Sequence, residues 1–240
     1  MFKAGVALIL WFATALQAQT PEFSPSEEVH VSPTREQGDR SSREMAGNSW
    51  AARGFSVEDI ISEVTGFSPE RIDFPKSVDN KQRYDFVLVL PKSESTEEIH
   101  RLVQRAVEEK FRLTIAREPQ TKDVYVLSAP QGQSPNLKPS AQDSRRTSLS
   151  IQLVQGSGQS TRNTEISAQR TDMQSFSQAM EDELSRPVID ETHLAGFFDF
   201  QVTSGRTRTE LIRSLQDQVG LVLTPDRREV TMLVVRENNH

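Results

Sequence analysis

One order of secondary-structure elements is predicted twice along this chain: strand, helix, strand, strand, helix, strand, strand. Matching landmarks follow each other in the same order in both halves. They are Ser56 and Asp172, Asp85–Phe86 and Asp199–Phe200, and Leu113–Thr114 and Leu223–Thr224. A unit of this size buries too little apolar surface for a comfortable core of its own, and we therefore expect the halves to pack together. The alternative is chance similarity between two halves of the same class.

The predicted fold is α+β, with small mixed or antiparallel sheets covered by amphipathic helices. We divide the chain into five segments. They are a signal peptide (1–18), a disordered or extended polar segment (19–47), a first α+β half (48–129), a Pro/Ser/Gln-rich connector with one strand (130–162) and a second α+β half (163–237). Val29 and Val31 are predicted to form a short strand inside the polar segment.

Two polar stretches with turn-forming residues are predicted to reverse the chain, namely Glu118 to Asp123 and Pro225 to Arg228. Each would join two short strands. Those strands are Phe111 to Ala116, Val124 to Ala129, Leu221 to Thr224 and Val230 to Val235. We expect some strand edges to be open for pairing, with Val230 to Val235 as an example.

The N-terminus has the layout of a secretory signal peptide. Lys3 supplies a positive charge, Ala4 to Ala15 is an uncharged apolar run, and Ala18 is a small residue at the predicted cleavage point. The run is shorter than the roughly 20 residues that span a bilayer. We therefore expect export to the periplasm or beyond, with no stable membrane span after signal removal. An uncleaved N-terminal anchor is the alternative.

Charge and cysteine content exclude several roles. The chain has 34 acidic and 28 basic residues, a formal net charge of −6, and no block of Lys and Arg. Because neutralisation of phosphates supplies most non-specific affinity for nucleic acids, we expect no nucleic-acid partner. The chain has no cysteine, which excludes disulfides, thiolate metal sites and a cysteine nucleophile.

The sequence lacks the motifs that commonly carry catalysis or cofactor binding. It contains no G-x-S-x-G, G-x-x-x-x-G-K or G-x-G-x-x-G pattern. Its four histidines are not spaced as metal-ligand pairs, and we interpret them as solvent-exposed. They are His30, His100, His193 and His240. We predict no catalytic residue, no metal site and no cofactor.

Two groups of charged residues allow a functional and a structural interpretation. Asp73, Asp85, Asp190 and Asp199 flank the corresponding turns of the two halves. A carboxylate pair in a cleft could catalyse hydrolysis. We favour structural roles: Asp190 binding backbone amides, and Asp85 and Asp199 facing away from the aromatic residues beside them. A basic group could bind an anion or form a solvated face; it comprises Arg206, Arg208, Arg213, Arg227 and Arg228.

Several motifs carry a resemblance to a known family. The most specific reads Arg186-Pro187-Val188-x-Asp190-x-Thr192-x-Leu194-x-Gly196-x-x-Asp199-Phe200, and others are Gly54 to Ile61, Arg83 to Phe86 and Val124 to Leu127. From about Gly47 to Glu237, the chain resembles a soil-associated bacterial family of exported proteins of unknown function (DUF3738). Ile72 to Ser77 lacks the Gly and Trp usual in that family, which marks a divergent member.

The repeated unit also resembles, more loosely, the short N-terminal domain of secretins and TonB-dependent receptors. Those modules act by protein contact. We therefore expect a non-catalytic module that binds a protein or peptide of the cell envelope. Two alternatives stay open: a small-ligand sensor with its pocket between the halves, and a hydrolase that depends on carboxylates.

Overall fold

The computed structural model describes residues 28–34, 41–141, 147–155 and 162–238. The predicted signal peptide (1–18), parts of the predicted polar segment (19–27 and 35–40) and His240 lie outside the described residues. The described residues form four α-helices and twelve strands in small sheets, and the predicted α+β class is confirmed.

The strands are β1 (His30–Pro33), β2 (Ser42–Ala46), β3 (Ser49–Phe55), β4 (Ile72–Asp73), β5 (Tyr84–Val89), β6 (Leu113–Ser128), β7 (Lys138–Pro139), β8 (Ser148–Gln155), β9 (Arg162–Thr171), β10 (Val188–Asp190), β11 (Phe198–Ser204) and β12 (Val222–Glu237). The α-helices are α1 (Val57–Thr65), α2 (Thr96–Phe111), α3 (Met173–Leu184) and α4 (Arg208–Val219). A 3₁₀ helix covers Pro69–Arg71. The short strand predicted around Val29 and Val31 is present as β1.

The helices begin where the sequence places polar caps. Ser56 caps α1: its Oγ accepts a hydrogen bond from the Asp59 amide at 3.1 Å, and the Asp59 carboxylate accepts one from the Ser56 amide at 3.3 Å. Ser95, Asp172 and Thr207 cap the other three helices, each accepting a hydrogen bond from the backbone amide three residues later, and Thr207 and Glu210 repeat the reciprocal pair seen at Ser56. These bonds satisfy amides that the helix itself leaves unpaired.

Three four-stranded sheets organise the described residues. The N-terminal sheet has the order β1-β5-β3-β2, the central sheet β10-β6-β12-β4, and the C-terminal sheet β7-β11-β9-β8. The two outer sheets are antiparallel throughout, whereas β4 and β10 run parallel to their neighbours in the central sheet. The same set of pairings therefore occurs twice. Descent of the two halves from one duplicated unit stays a prediction.

The prediction of two chain reversals is wrong. Glu118 to Asp123 and Pro225 to Arg228 lie inside β6 and β12, which are continuous strands of 16 residues each. The two strands pair antiparallel over their whole length, from Leu113 opposite Glu237 to Ser128 opposite Val222. We call this pair the central ribbon. The polar residues occupy its exposed middle, where a strand needs no apolar side chains.

The central ribbon contributes to two apolar cores at its opposite ends. The N-terminal core contains α1, α2 and the N-terminal sheet, and it takes Leu233 and Val235 from the end of β12. The C-terminal core contains α3, α4 and the C-terminal sheet, and it takes Tyr125 and Leu127 from the end of β6. Each half therefore completes its core with a strand end from the other half. A third cluster lies on the ribbon itself and consists of Val124, Val126, Val230, Met232 and Val234.

Candidate functional site

Asp85 and Asp199, two of the predicted carboxylates, hold irregular points of the outer sheets. Asp85 Oδ1 accepts hydrogen bonds from the Gly54 amide at 3.0 Å and from Thr34 Oγ1 at 2.7 Å. Gly54 has a φ of 73° and lies where the β3–β5 register shifts. These bonds fix a β-bulge and the neighbouring edge strand, which is a structural role.

The C-terminal sheet repeats this arrangement around Asp199. Its Oδ1 accepts hydrogen bonds from the Arg170 amide at 2.7 Å and from the Ser140 hydroxyl. Arg170 has a φ of 48°, and the β9–β11 register shifts beside it. The bond from Ser140, followed by that from the Arg170 amide, lowers the pKa of the Asp199 carboxyl. The carboxylate is therefore held in its charged, hydrogen-bonded form.

Asp73 and Asp190 lie at opposite edges of the central sheet, on β4 and β10, with two strands between them. Asp190 Oδ1 accepts hydrogen bonds from the Thr192 amide at 2.9 Å and from Thr192 Oγ1 at 2.7 Å. This is the backbone-amide role expected for Asp190. The four predicted carboxylates thus lie on three sheets and do not form one pair across a cleft.

The structure separates the other predicted candidates. Arg206 precedes α4, Arg208 and Arg213 lie on it, and all three are exposed. Arg227 and Arg228 lie in the exposed middle of β12, where Arg228 Nη2 is 2.9 Å from Asp226 Oδ2. His30 begins β1 and is exposed, His100 lies on α2 and is half-buried, and His193 is exposed with a φ of 55°. Within residues 28–34, 41–141, 147–155 and 162–238, no group of three or more His, Asp or Glu side chains is placed to hold a metal ion.

A buried ion pair that the sequence analysis missed joins the two halves. Glu181 on α3 is fully buried, and its Oε1 accepts hydrogen bonds from Arg71 Nε at 2.7 Å and from the Val188 amide at 2.9 Å. Ser68 donates to the other carboxylate oxygen. Arg71 Nη2 also donates to the Val188 carbonyl at 3.0 Å. The only signal for this pair in the sequence is an acidic residue on the apolar stripe of α3.

A groove of about 580 Å³ lies over this ion pair, between the 3₁₀ helix, α3, β10 and β12. Its lining mixes polar and apolar side chains, and the polar ones include Ser68, Gln174, Ser177, Gln178 and Thr231. Burial, followed by repulsion from nearby carboxylates, raises the pKa of Glu70 and of Asp182 at this junction. No buried side-chain nitrogen or oxygen of the described residues lacks a hydrogen-bond partner. The groove therefore presents no orphaned buried group to a ligand.

The outer edge of β8 is the surface that most resembles a binding site. β8 has eight residues, is the last strand of the C-terminal sheet, and pairs with β9 in unbroken register on one side only. Its sequence, SLSIQLVQ, has neither charge nor proline. Leu149 and Ile151 pack against the C-terminal core, while Leu153 is 58% exposed. An apolar strand with unpaired backbone groups can accept a further strand.

The other edge strands of the described sheets are protected or short. β2 has five residues and carries Arg43 and Glu44, and Arg43 forms an ion pair with Glu63. β1, β4, β7 and β10 have between two and four residues. Charge and shortness both oppose edge-to-edge pairing. The predicted open edge at Val230 to Val235 is wrong at Leu233 and Val234, which pair with β4 on one side and with β6 on the other.

These features define a class: an α+β protein of two interlocked halves with one long, uncharged and unpaired strand edge among its described residues. None of its described helices is long and apolar enough to cross a membrane. The family model for proteins of unknown function, DUF3738, matches residues 58–237, three quarters of the chain. The chain belongs to that family. No curated protein and no solved structure matches it.

Proposed function

We propose that this protein is exported and acts without catalysis, by binding another polypeptide as an added strand on the free edge of β8. The signal-peptide pattern of residues 1–18 supports export. The observation that carries the binding role is the eight-residue uncharged edge with Leu153 exposed at its end.

The edge supplies both affinity and selectivity for an extended segment. Backbone N–H and C=O groups on the outer side of β8 have no partner strand among the described residues, and an added strand would pair with them. Leu149, Ile151 and Leu153 lie on the core side of the sheet by strand alternation. An apolar side chain of the incoming strand would pack beside them and extend the C-terminal core.

The experiment is a crosslinking pull-down from native cell envelope, with the full chain expressed in its own host as bait. Leu153→Lys places a charge on the edge at an exposed position, so we expect the fold to persist and strand pairing to be lost. Met45→Lys is the matched control, since Met45 is 54% exposed on the charged edge β2. A partner recovered with wild type and Met45→Lys but lost with Leu153→Lys supports the proposal. A partner retained by Leu153→Lys contradicts it.

The groove over Arg71 and Glu181 favours a second candidate function, the binding of a small polar ligand between the halves. Native mass spectrometry of protein purified from the envelope would test it. A small molecule that co-purifies with wild type and is lost when Gln174→Trp fills the groove would favour this function. Protein that carries no such molecule would count against it.

A further inference from the structure

The alternation of apolar and polar residues in β8 is symmetric about Ile151 from Leu149 to Leu153. Leu149 and Leu153 are two positions from Ile151 on either side, and Ser150 and Gln152 are the polar neighbours between them. In a two-fold symmetric interface, each contact of one residue with another occurs a second time with the copies exchanged. In a strand that pairs antiparallel with its own copy, residues at equal distances from the axis therefore lie opposite each other and have to be compatible. In β8 this holds from Leu149 to Leu153, whereas Ser148 lies opposite Val154.

Strand alternation selects one register for such a pair. Residues directly opposite each other in an antiparallel pair lie on the same face of the sheet. If Ile151 faces Ile151 of the second copy, Leu149 faces Leu153 and Ser150 faces Gln152. The apolar side chains of both copies then lie on the side of their C-terminal cores. If the register between the two copies shifted by one residue, the apolar side chains of one copy would lie beside the polar residues of the other.

The exposure of Leu153 and the lack of charged residues in β8 agree with the same register. Leu153 is 58% exposed in the single chain, whereas Leu149 is partly buried against the core. Across the axis, each Leu153 would pack beside a Leu149 and lose its contact with water. β8 has no charged residue, and so no like charges face each other when two copies meet.

We propose that the strand added to β8 comes from a second copy of this chain, in an antiparallel pair centred on Ile151. This inference rests on the proposed function and names its partner. The two C-terminal sheets would join across the axis into one continuous sheet of eight strands.

The test uses the absence of native cysteine, because any introduced cysteine is then the only thiol. A short bis-maleimide joins thiols whose Cβ atoms lie about 5 Å apart, as in directly opposite residues. We expect Ile151→Cys to crosslink with itself, and Leu149→Cys to crosslink with Leu153→Cys when the two variants are mixed. Met45→Cys, at comparable exposure on β2, should stay uncrosslinked. Sedimentation of the unmodified chain should show a dimer that Leu153→Lys converts to a monomer.

Each result has one meaning for the proposal. Preferential crosslinking of Ile151→Cys with Gln152→Cys would overturn the register. A wild-type chain that sediments as a monomer at tens of micromolar and gives no Ile151→Cys crosslink would overturn self-pairing. The proposed function would survive that result if the pull-down still lost a foreign partner with Leu153→Lys. If Leu153→Lys keeps both the dimer and the foreign partner, self-pairing and the proposed function are both rejected.

Discussion

Arg71 and Glu181 meet across the junction of the two halves, with Nε and Oε1 2.7 Å apart although the residues are 110 positions apart in the chain. Glu181 is fully buried, and the side chain of Arg71 is only 22% exposed. Three donors from two segments converge on this carboxylate. The pair therefore fixes the 3₁₀ helix against α3.

Glu181→Ala should destabilise the protein strongly. It leaves Arg71 without its counter-charge and the Val188 amide without its acceptor, and loss of one partner of a buried pair costs about 3 kcal/mol. Urea denaturation followed by circular dichroism would measure the loss. The double variant Arg71→Met, Glu181→Met should recover part of it, because no unpaired charge remains. Equal stability of Glu181→Ala and wild type would show that the pair does not hold the junction.

Stability at the same junction should fall as pH rises above the ordinary range of a carboxyl group. Burial raises the pKa of Glu70 and of Asp182 in the folded state, and the folded state therefore holds their protons more tightly than the unfolded state does. At low pH both groups are protonated and do not destabilise the fold. As the pH rises through their raised pKa values they ionise, and their charge then lowers the stability of the folded state. Melting temperatures of the variant Glu70→Gln, Asp182→Asn should exceed those of wild type at pH 7 and converge with them near pH 4. A gap that widens on acidification would contradict this sign.

We expect Asp85 and Asp199, whose carboxylates bind the amides at the β-bulges, to contribute to the stability of the fold and not to the activity of the protein. Asp85→Ala and Asp199→Ala each remove two hydrogen bonds to one oxygen, which should cost about 1–2 kcal/mol. Because the pKa of Asp199 is lowered, its contribution is present above the ordinary pKa and is lost as pH falls through the lowered value. Asp73→Ala, at an exposed strand position, is the matched control. Chemical denaturation at pH 7 would rank the three variants.

The central ribbon should make the two halves unfold together. Leu233→Ala and Leu223→Ala remove buried side chains from opposite ends of β12, and each should cost about 3 kcal/mol. Because β12 enters both cores, we expect calorimetry to show one transition that both variants shift to lower temperature. Two resolved transitions, each lowered by only one variant, would show that the halves unfold independently.

Export can be measured directly. We expect the mature protein to begin at Gln19 and to appear in the periplasmic or extracellular fraction. N-terminal sequencing of protein from each fraction would establish this. Ala18→Arg should block cleavage and retain the chain at the membrane. Unprocessed wild-type protein that stays with the membrane would indicate an N-terminal anchor.

Local features of the sequence predicted local features of the fold. Caps such as Ser56 and Asp172 form bonds within three residues, and the helix stripes repeat within a turn, so both are readable from the sequence. The central ribbon was missed because polar residues and Pro225 give turn signals, whereas pairing with β6 over 16 residues keeps that stretch extended. Polarity there reflects exposure and not a reversal of the chain.

The candidate site was only half visible in the sequence. The sequence predicted one strand in the connector (130–162), but whether a strand lies at the edge of a sheet depends on which other strands pair with it. The roles of Asp85 and Asp199 depend on amides 31 and 29 residues away. Glu181 depends on Arg71 in the other half. Such partners follow from topology, which one sequence does not specify.

The two strands of the central ribbon come from different halves of the chain, and this affects how the protein can fold during synthesis. The N-terminal core is closed by Leu233 and Val235, which lie on β12 in the second half of the chain. A polypeptide that emerges from a ribosome or a translocation channel with its N-terminus first cannot finish that core until β12 has emerged as well. The first half therefore cannot complete its fold before the second half has been made. Until β12 pairs with β6, apolar surface of the N-terminal core stays exposed to solvent.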